Sequence, residues 1–301
     1  MYSEADMVLM VRPRDFHCNP QTVLDNHFQS IGFDFTRDEI EIRINEEFDS
    51  FVGILRNAGI SVTVFEQTDD SDTPDAIFPN NWFSTHLEMK LVLYPMKAEN
   101  RRLERRREII EWLGTRYTEM IDFSSFEKQG RYLEGTGSLV LDHLHRKAFA
   151  AVSDRTHQKL VLEWGRKMDF EIHLFSASDK NKNPIYHTNV VLALGHGFAL
   201  AGLDAINSKG ERDAVLSALS DTGRVIIELT TEQIHCFSAN GLQLKNKFGN
   251  PVFVISKNGW EALSEEQKTI IRSMTEVITP SLTMTEQLGG GSARCMIAEL
   301  F

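Results

Sequence analysis

One unit recurs along this chain, and it restricts the fold more than any other feature. Two short apolar segments, rich in β-branched residues, are joined by a tight turn and followed by an amphipathic helical pattern. Ser138 to Leu141 and Ala148 to Ser153 precede a helix over Arg155 to Met168. Val190 to Leu194 and Ala199 to Leu203 precede a helix over Gly210 to Ser220. Leu242 to Leu244 and Val252 to Ile255 precede a helix over Trp260 to Ile271. The turns Gly195-His196-Gly197 and Phe248-Gly249-Asn250 carry residues suited to tight reversals. A fourth copy runs through Trp82 to Thr85, Leu91 to Tyr94 and a charged helix over Arg101 to Leu113. The fifth forms only if the chain closes on itself. Met296 to Leu300 then pairs with Val8 to Val11, ahead of a helix over Asp38 to Asn57.

Further strands at Val62 to Phe65, Ile172 to Phe175 and Val225 to Leu229 extend the unit to ββαβ. Five such copies, spaced by roughly 50 to 60 residues, predict an α/β fold built as a five-bladed propeller. The alternative is a doubly wound parallel sheet. The short hairpins disfavour it, because parallel strands need long crossovers, and no G-x-G-x-x-G fingerprint is present. No linker or low-complexity segment divides residues 1–301, so one catalytic domain is expected.

Charge and cysteine usage exclude several functions. A net charge of -11 opposes nucleic-acid binding, which needs a basic field. It is compatible with a cationic or zwitterionic small molecule. The one basic cluster, Arg101-Arg102 and Arg105-Arg106-Arg107, lies among Glu104, Glu108 and Glu111 and reads as a solvated helix face. No apolar run approaches the ~20 residues of a membrane span. Cys18, Cys236 and Cys295 are widely spaced, with no C-x-x-C pair and no signal peptide. That pattern indicates a reducing cytoplasm and neither a disulfide framework nor a metal site. A homo-oligomer is compatible with the sequence.

Cys295 follows Gly289-Gly290-Gly291 and precedes the closing strand. Glycines allow turns and close backbone approaches closed to other residues, so this thiol is placed like a nucleophile at the mouth of a site. The bland alternative is a small buried hydrophobe. A cysteine nucleophile needs a base, and the leaving group needs an acid. His187, in Tyr186-His187-Thr188-Asn189, stands directly before a buried strand, where a side chain is held rigidly. Glu134, in Leu133-Glu134-Gly135, is poised beside a glycine turn to bind a cation or orient a histidine. Asp75 to Trp82, with Pro79, Asn80 and Asn81, reads as a rigid loop over a pocket, or as a plain turn. Each candidate lies just before the first strand of a repeat, so radial repetition would gather them on one axis. His86 is close enough in sequence to line the same pocket. Cys236 reads as core, and Cys18 as part of a covering loop or ordinary surface.

These motifs together resemble the guanidino-group modifying enzymes of the pentein superfamily, across nearly the whole chain. Asp75 to Asn81 resembles the loop P-D-x-x-F-x-E-D. Leu133-Glu134-Gly135 resembles the catalytic L-E-G, Ser153-Asp154-Arg155-Thr156 the S-x-R-T segment, and Gly290 to Met296 the terminal cysteine motif. The strings FPNNWFSTH, YLEGTGSLVLD and YHTNVVLALG are similar to the citrulline-utilisation hydrolase branch. The resemblance implies that Cys295 attacks a guanidine or urea carbon, His187 protonates the leaving amine and then activates water, and Glu134 orients the histidine or a substrate nitrogen. It implies that Asp75 binds the substrate ammonium and Arg155 its carboxylate, with no cofactor and no metal.

One departure from that pattern bears on the substrate. Asn80 and Asn81 stand where the arginine-processing families tend to carry acids, and Asn189 stands where another aspartate is usual. A buried guanidinium is costly unless paired with carboxylate. Asparagine instead offers donors and an acceptor, the mixture a neutral ureido group requires. The expected reaction is therefore hydrolysis of citrulline toward ornithine. Arginine deiminase or dimethylarginine hydrolase chemistry is the rival, amidinotransfer a weaker one, and a binding-only pentein the non-enzymatic one. A neutral substrate also cannot assist thiol ionisation by its own charge, so Cys295 must rely on His187 and the protein around it.

Overall fold

The computed structural model describes residues 4–23, 26–29, 35–67 and 72–301. Strand β1 (Met7–Arg12) lies parallel to β2 (Ser61–Glu66), joined by the helix Arg37–Asn57. That helix starts where Thr36 accepts from the Glu39 N–H and the Glu39 carboxylate reaches back, a reciprocal cap. Next come the antiparallel hairpin β3 (Phe83–His86) and β4 (Lys90–Leu93), the helix Arg107–Gly114, and β5 (Glu119–Asp122) parallel to β4. The same order repeats in β6 (Val140–Asp142), β7 (Lys147–Ala151), the helix Gln158–Met168 and β8 (Glu171–Phe175). It repeats in β9 (Leu192–Leu194), β10 (Phe198–Ala201), the helix Lys209–Ser220 and β11 (Val225–Glu228). The next copy is β12 (Leu242–Lys245), β13 (Pro251–Val254), the helix Glu265–Arg272 and β14 (Glu276–Ile278). The last strand, β15 (Ala298–Leu300), pairs antiparallel with β1, Leu9 opposite Ala298, and completes the first module. The expected chain closure is therefore present, and five three-stranded sheets make five ββαβ modules.

Hydrogen bonds link each module to the next and the fifth to the first. Thr85 donates to the Glu299 carbonyl, Trp164 to the Tyr94 hydroxyl, Lys147 to the Ala218 carbonyl, and the His196 amide to Gln243. The Lys245 N–H then donates to the Ala5 carbonyl. Buried aromatic and aliphatic side chains fill the space between sheets and crossover helices, with Trp82, Trp164, Phe149, Phe198 and Phe253 among the largest fully buried.

Three expected elements differ in detail. The strand expected from Ser138 begins at Val140, because Gly135–Ser138 winds into one helical turn. The helix expected over Trp260 to Ile271 is two helices, Lys257–Glu261 and Glu265–Arg272. The second has its own cap at Ser264, which accepts from the Gln267 N–H. The charged helix over Arg101 to Leu113 likewise splits into Glu99–Arg102 and Arg107–Gly114. This last break turns part of the supposed solvated face inward. Arg101 and Glu104 are 2% and 3% exposed, and only Arg107 of the cluster stands freely in solvent. Cys236 is half-buried rather than core. No helix among the described residues is long and apolar enough to cross a membrane.

Candidate active site

The site is assembled from the segments that lead into the first strand of each hairpin. Before β3, the turn Pro79–Asn81 buries Asn81. Before β6, Glu134 leads the turn Gly135–Ser138. Before β9, His187 leads the turn Thr188–Val190. The Thr188 hydroxyl donates to the Ser138 carbonyl at 2.6 Å and ties these two turns together. Before β15 lies Cys295, whose N–H donates to the Ser292 carbonyl at 2.9 Å. One cleft is lined by Asp75, Asn81, Arg101, Arg155, His187 and Cys295.

The glycines in these segments are required by contact. A Cβ on Gly137 would stand 2.4 Å from Asn81 Nδ2 and 2.7 Å from His187 Nδ1, so both side chains rest on bare backbone. Gly290 is in the left-handed region with φ +62°, and a Cβ there would strike Asn26 at 2.5 Å. The turn it forms is gripped from outside: Tyr186 donates to the Gly290 carbonyl at 2.8 Å and Gln29 to the Gly289 carbonyl at 3.1 Å.

Glu134 is fully buried and outside the cleft lining. Its Oε2 accepts from His187 Nε2 at 2.9 Å and its Oε1 from the Lys97 N–H at 3.0 Å. Arg155 and Arg101 stand 3.6 and 3.9 Å from Oε2. Burial alone would raise this carboxyl, but Arg155, the His187 bond and Arg101 together hold it well below the usual carboxylate range. Burial also pushes His187 below the ordinary imidazole value, with Glu134 opposing that fall. The geometry thus has Glu134 holding Nε2, while Nδ1 packs beside Gly137 on a ring that lines the cleft.

Arg155 lies 4.7 Å over the Tyr186 ring and donates to the Thr22 carbonyl at 3.2 Å. Asp75 Oδ2 accepts from Asn19 at 2.8 Å, while its Oδ1 has no hydrogen-bond partner among the described residues. Asn80 is buried, and neither of its amide atoms has a partner among the described residues. It does not line the cleft; its carbonyl accepts from Thr136 at 3.2 Å. Asn189 does not line the cleft, but its Nδ2 lies 3.4 Å from the sulfur of Cys295, the candidate nucleophile. His86 does not line the cleft. It is fully buried in a chain running from Ser84 to Tyr94 and Trp164. Cys18 is half-buried, 3.7 Å from Gln29 Oε1.

Two residues at the site escaped the sequence reading. Arg101 donates to Asn81 Oδ1 at 2.8 Å and forks onto Glu104 at 2.8 and 3.0 Å. Burial works against its charge, yet Glu104, Asp75 and Glu134 outweigh burial and keep it protonated. Which arginine of five in an interrupted cluster points into the site gives no sequence signal. Asn240, in the segment leading into β12, donates from Nδ2 to Cys295 Sγ at 3.3 Å. The repeat itself pointed there, since the corresponding segment of every other module supplies a polar side chain.

A ring of five ββαβ modules with a buried cysteine, histidine and glutamate ahead of its strands defines a pentein hydrolase acting on carbon–nitrogen bonds. Residues 12–301 match the family described as eukaryotic N,N dimethylarginine dimethylhydrolase, and the chain belongs to that family. No curated protein matches the sequence significantly. Among solved structures, the N-terminal domain of a variant of ArgZ, covalently bonded to a reaction intermediate, is 15% identical with a TM-score of 0.76, covering 98% of this chain and 97% of that one. ArgZ is described as an arginine dihydrolase of the ornithine-ammonia cycle in cyanobacteria, and this chain spans 40% of full-length apo ArgZ. AgrE, as a cysteine variant with L-arginine, is 18% identical with a TM-score of 0.76, covering 98% of this chain and 40% of that one. A dimethylarginine dimethylaminohydrolase adduct with S-methyl-L-thiocitrulline is 14% identical with a TM-score of 0.68, covering 98% and 100%.

Proposed function

We propose that the protein hydrolyses the ureido group of citrulline, yielding ornithine. The supporting observation is how Asn81 is used. Arg101, a resident guanidinium, already takes the Asn81 carbonyl oxygen, while Asn81 Nδ2 has no partner among the described residues. The spare group is a donor, which suits a ureido oxygen and not a guanidinium, which has only donors of its own.

Cys295 sulfur bonds to the ureido carbon, a carbon–nitrogen bond breaks, and the departing nitrogen takes its proton from His187. Water then gives a proton back to His187 and adds to the carbon, and the carbon–sulfur bond breaks to free the thiolate and a carbamate, which loses carbon dioxide, so that ornithine, ammonia and carbon dioxide account for every atom. Glu134 acts through His187, fixing its tautomer and steadying the imidazolium. Arg155 takes the substrate carboxylate, and the unpaired Oδ1 of Asp75 takes its ammonium. Asn80, which is outside the cleft lining, supports the turn.

The test is turnover of citrulline, arginine and dimethylarginine in separate incubations, with ammonia and ornithine followed, against Cys295→Ala. Citrulline turnover that vanishes in the variant is expected. Turnover of arginine without citrulline would overturn the substrate assignment.

A further inference from the structure

We infer that Asn240 is a positioning residue that makes the Cys295 sulfur a hydrogen-bond acceptor before any substrate arrives, so that the protein itself favours the thiolate. The inference rests on Cys295 being the nucleophile, and it is independent of which substrate is attacked.

The orientation of the Asn240 amide is fixed by partners of known polarity. Its Oδ1 faces the Arg294 backbone N–H at 3.1 Å, which can only donate. Its Nδ2 faces the Asn189 backbone carbonyl at 3.1 Å, which can only accept. Rotating the amide by half a turn would break both contacts, so Nδ2 is the atom that faces Cys295 Sγ at 3.3 Å. The Asn189 amide supplies a second donor at 3.4 Å. Asn240 is 0% and Asn189 1% exposed, so water does not compete for these donors.

A sulfur facing two N–H groups is held as an acceptor. A thiol accepts weakly, whereas a thiolate accepts strongly, because a charged partner roughly doubles a hydrogen bond's strength. Both donors therefore stabilise the deprotonated form over the protonated one. The released proton passes to His187 Nδ1 or to solvent, and the sulfur keeps the electron pair. Arg294 contributes through its backbone, immediately before Cys295 in the chain, so the same residue that anchors Asn240 also sets the approach of the nucleophile.

The test is made on the free protein, so a failed citrulline assay does not affect it and its own failure leaves the substrate question intact. In a Cys18→Ser, Cys236→Ser background, the rate of Cys295 alkylation by iodoacetamide at neutral pH is measured together with ultraviolet thiolate absorbance. Asn240→Ala is expected to lower both, the rate by about tenfold, equivalent to ~1.4 kcal/mol. Asn240→Asp keeps the shape and the acceptor for the Arg294 amide but turns a carboxylate oxygen toward sulfur, and is expected to lower both further. A role confined to holding the loop would instead lower Tm in both variants, since aspartate also loses the bond to the Asn189 carbonyl, and would leave the thiolate absorbance of the folded protein unchanged. Alkylation within twofold of wild type in both variants, or an aspartate variant faster than the alanine one, overturns the inference.

Discussion

Replacing Glu134 by glutamine tests the electrostatic centre of this site. The substitution keeps the size of the side chain and an oxygen able to accept from His187, and it removes one buried negative charge. That charge faces Arg155 at 3.6 Å and Arg101 at 3.9 Å. At about 4 Å and an effective dielectric near 20, each pairing amounts to about 4 kcal/mol of gross attraction. Burying the carboxylate costs several kcal/mol, so the net worth is smaller. Removing one counter-charge from Arg155 and Arg101, while Arg101 keeps its fork onto Glu104, is expected to cost about 3 kcal/mol. At roughly 2–4 °C per kcal/mol for a chain of this size, Tm falls by about 10 °C. The folded carboxyl is held below its ordinary value, so its contribution is present above the unfolded value near 4.3 and is lost as pH falls toward the folded one. The Tm gap between wild type and Glu134→Gln is therefore full at neutral pH and narrows below about pH 4. Scanning fluorimetry across that range reads it directly. A neutral-pH gap under about 3 °C, or one that stays constant into acid, would refute the assignment of Glu134 as the compensating charge. Turnover in the same variant is expected to fall by about 10²-fold or more, since the imidazolium loses its counter-charge.

Three further outcomes follow from the same geometry. Gly137→Ala places a methyl 2.4 Å from Asn81 Nδ2 and 2.7 Å from His187 Nδ1, so turnover should fall at least tenfold; a variant with wild-type kcat/KM would show that neither side chain needs its position. Asn81→Asp supplies the carboxylate that a guanidinium requires, and the ratio of arginine to citrulline turnover should rise about tenfold or more; an unchanged ratio counts against Asn81 as the residue that reads substrate charge. His86 is buried and His143 half-buried, and desolvation pushes both below the ordinary imidazole value, His143 to about 4. The unfolded chain binds those protons first, so stability should decline as pH drops from about 6.5 toward 4, and His143→Gln should flatten that slope in a Tm-versus-pH series.

Much of the fold was legible because hairpins and amphipathic helices are local patterns. The five ββαβ modules, and the return of the last strand to the first, follow from strand length and turn residues alone. What was not legible depends on which way a side chain faces after a helix breaks. Arg101 shares its local sequence with Arg105 and Arg107, which reads as one exposed face. The interruption between Arg102 and Arg107 turns Arg101 and Glu104 inward, and they bury as a pair. An ion pair of that kind is invisible in periodicity, because its two members offset each other's charge wherever they lie. Asn80 and Asn81 show the same limit at smaller scale. They are adjacent and chemically identical, yet only Asn81 lines the cleft.

Asn240 marks the opposite case, a residue that the repeat pattern contained and residue chemistry did not flag. The segments leading into four of the modules carry Asn81, Glu134, His187 and Cys295, types that chemistry singles out in clusters. The fifth carries an asparagine between Ala239 and Gly241, which alone reads as a turn. Five modules arranged in a ring bring all five segments toward one axis, so a buried polar side chain on any of them must be satisfied by groups from the others. Asn240 meets that demand with Arg294, Asn189 and the Cys295 sulfur, all from the two neighbouring segments. The pseudo-symmetry thus constrains function more tightly than any single motif. It fixes where a reactive group can stand, and the residue type on each segment then decides whether that group grips, protonates or attacks.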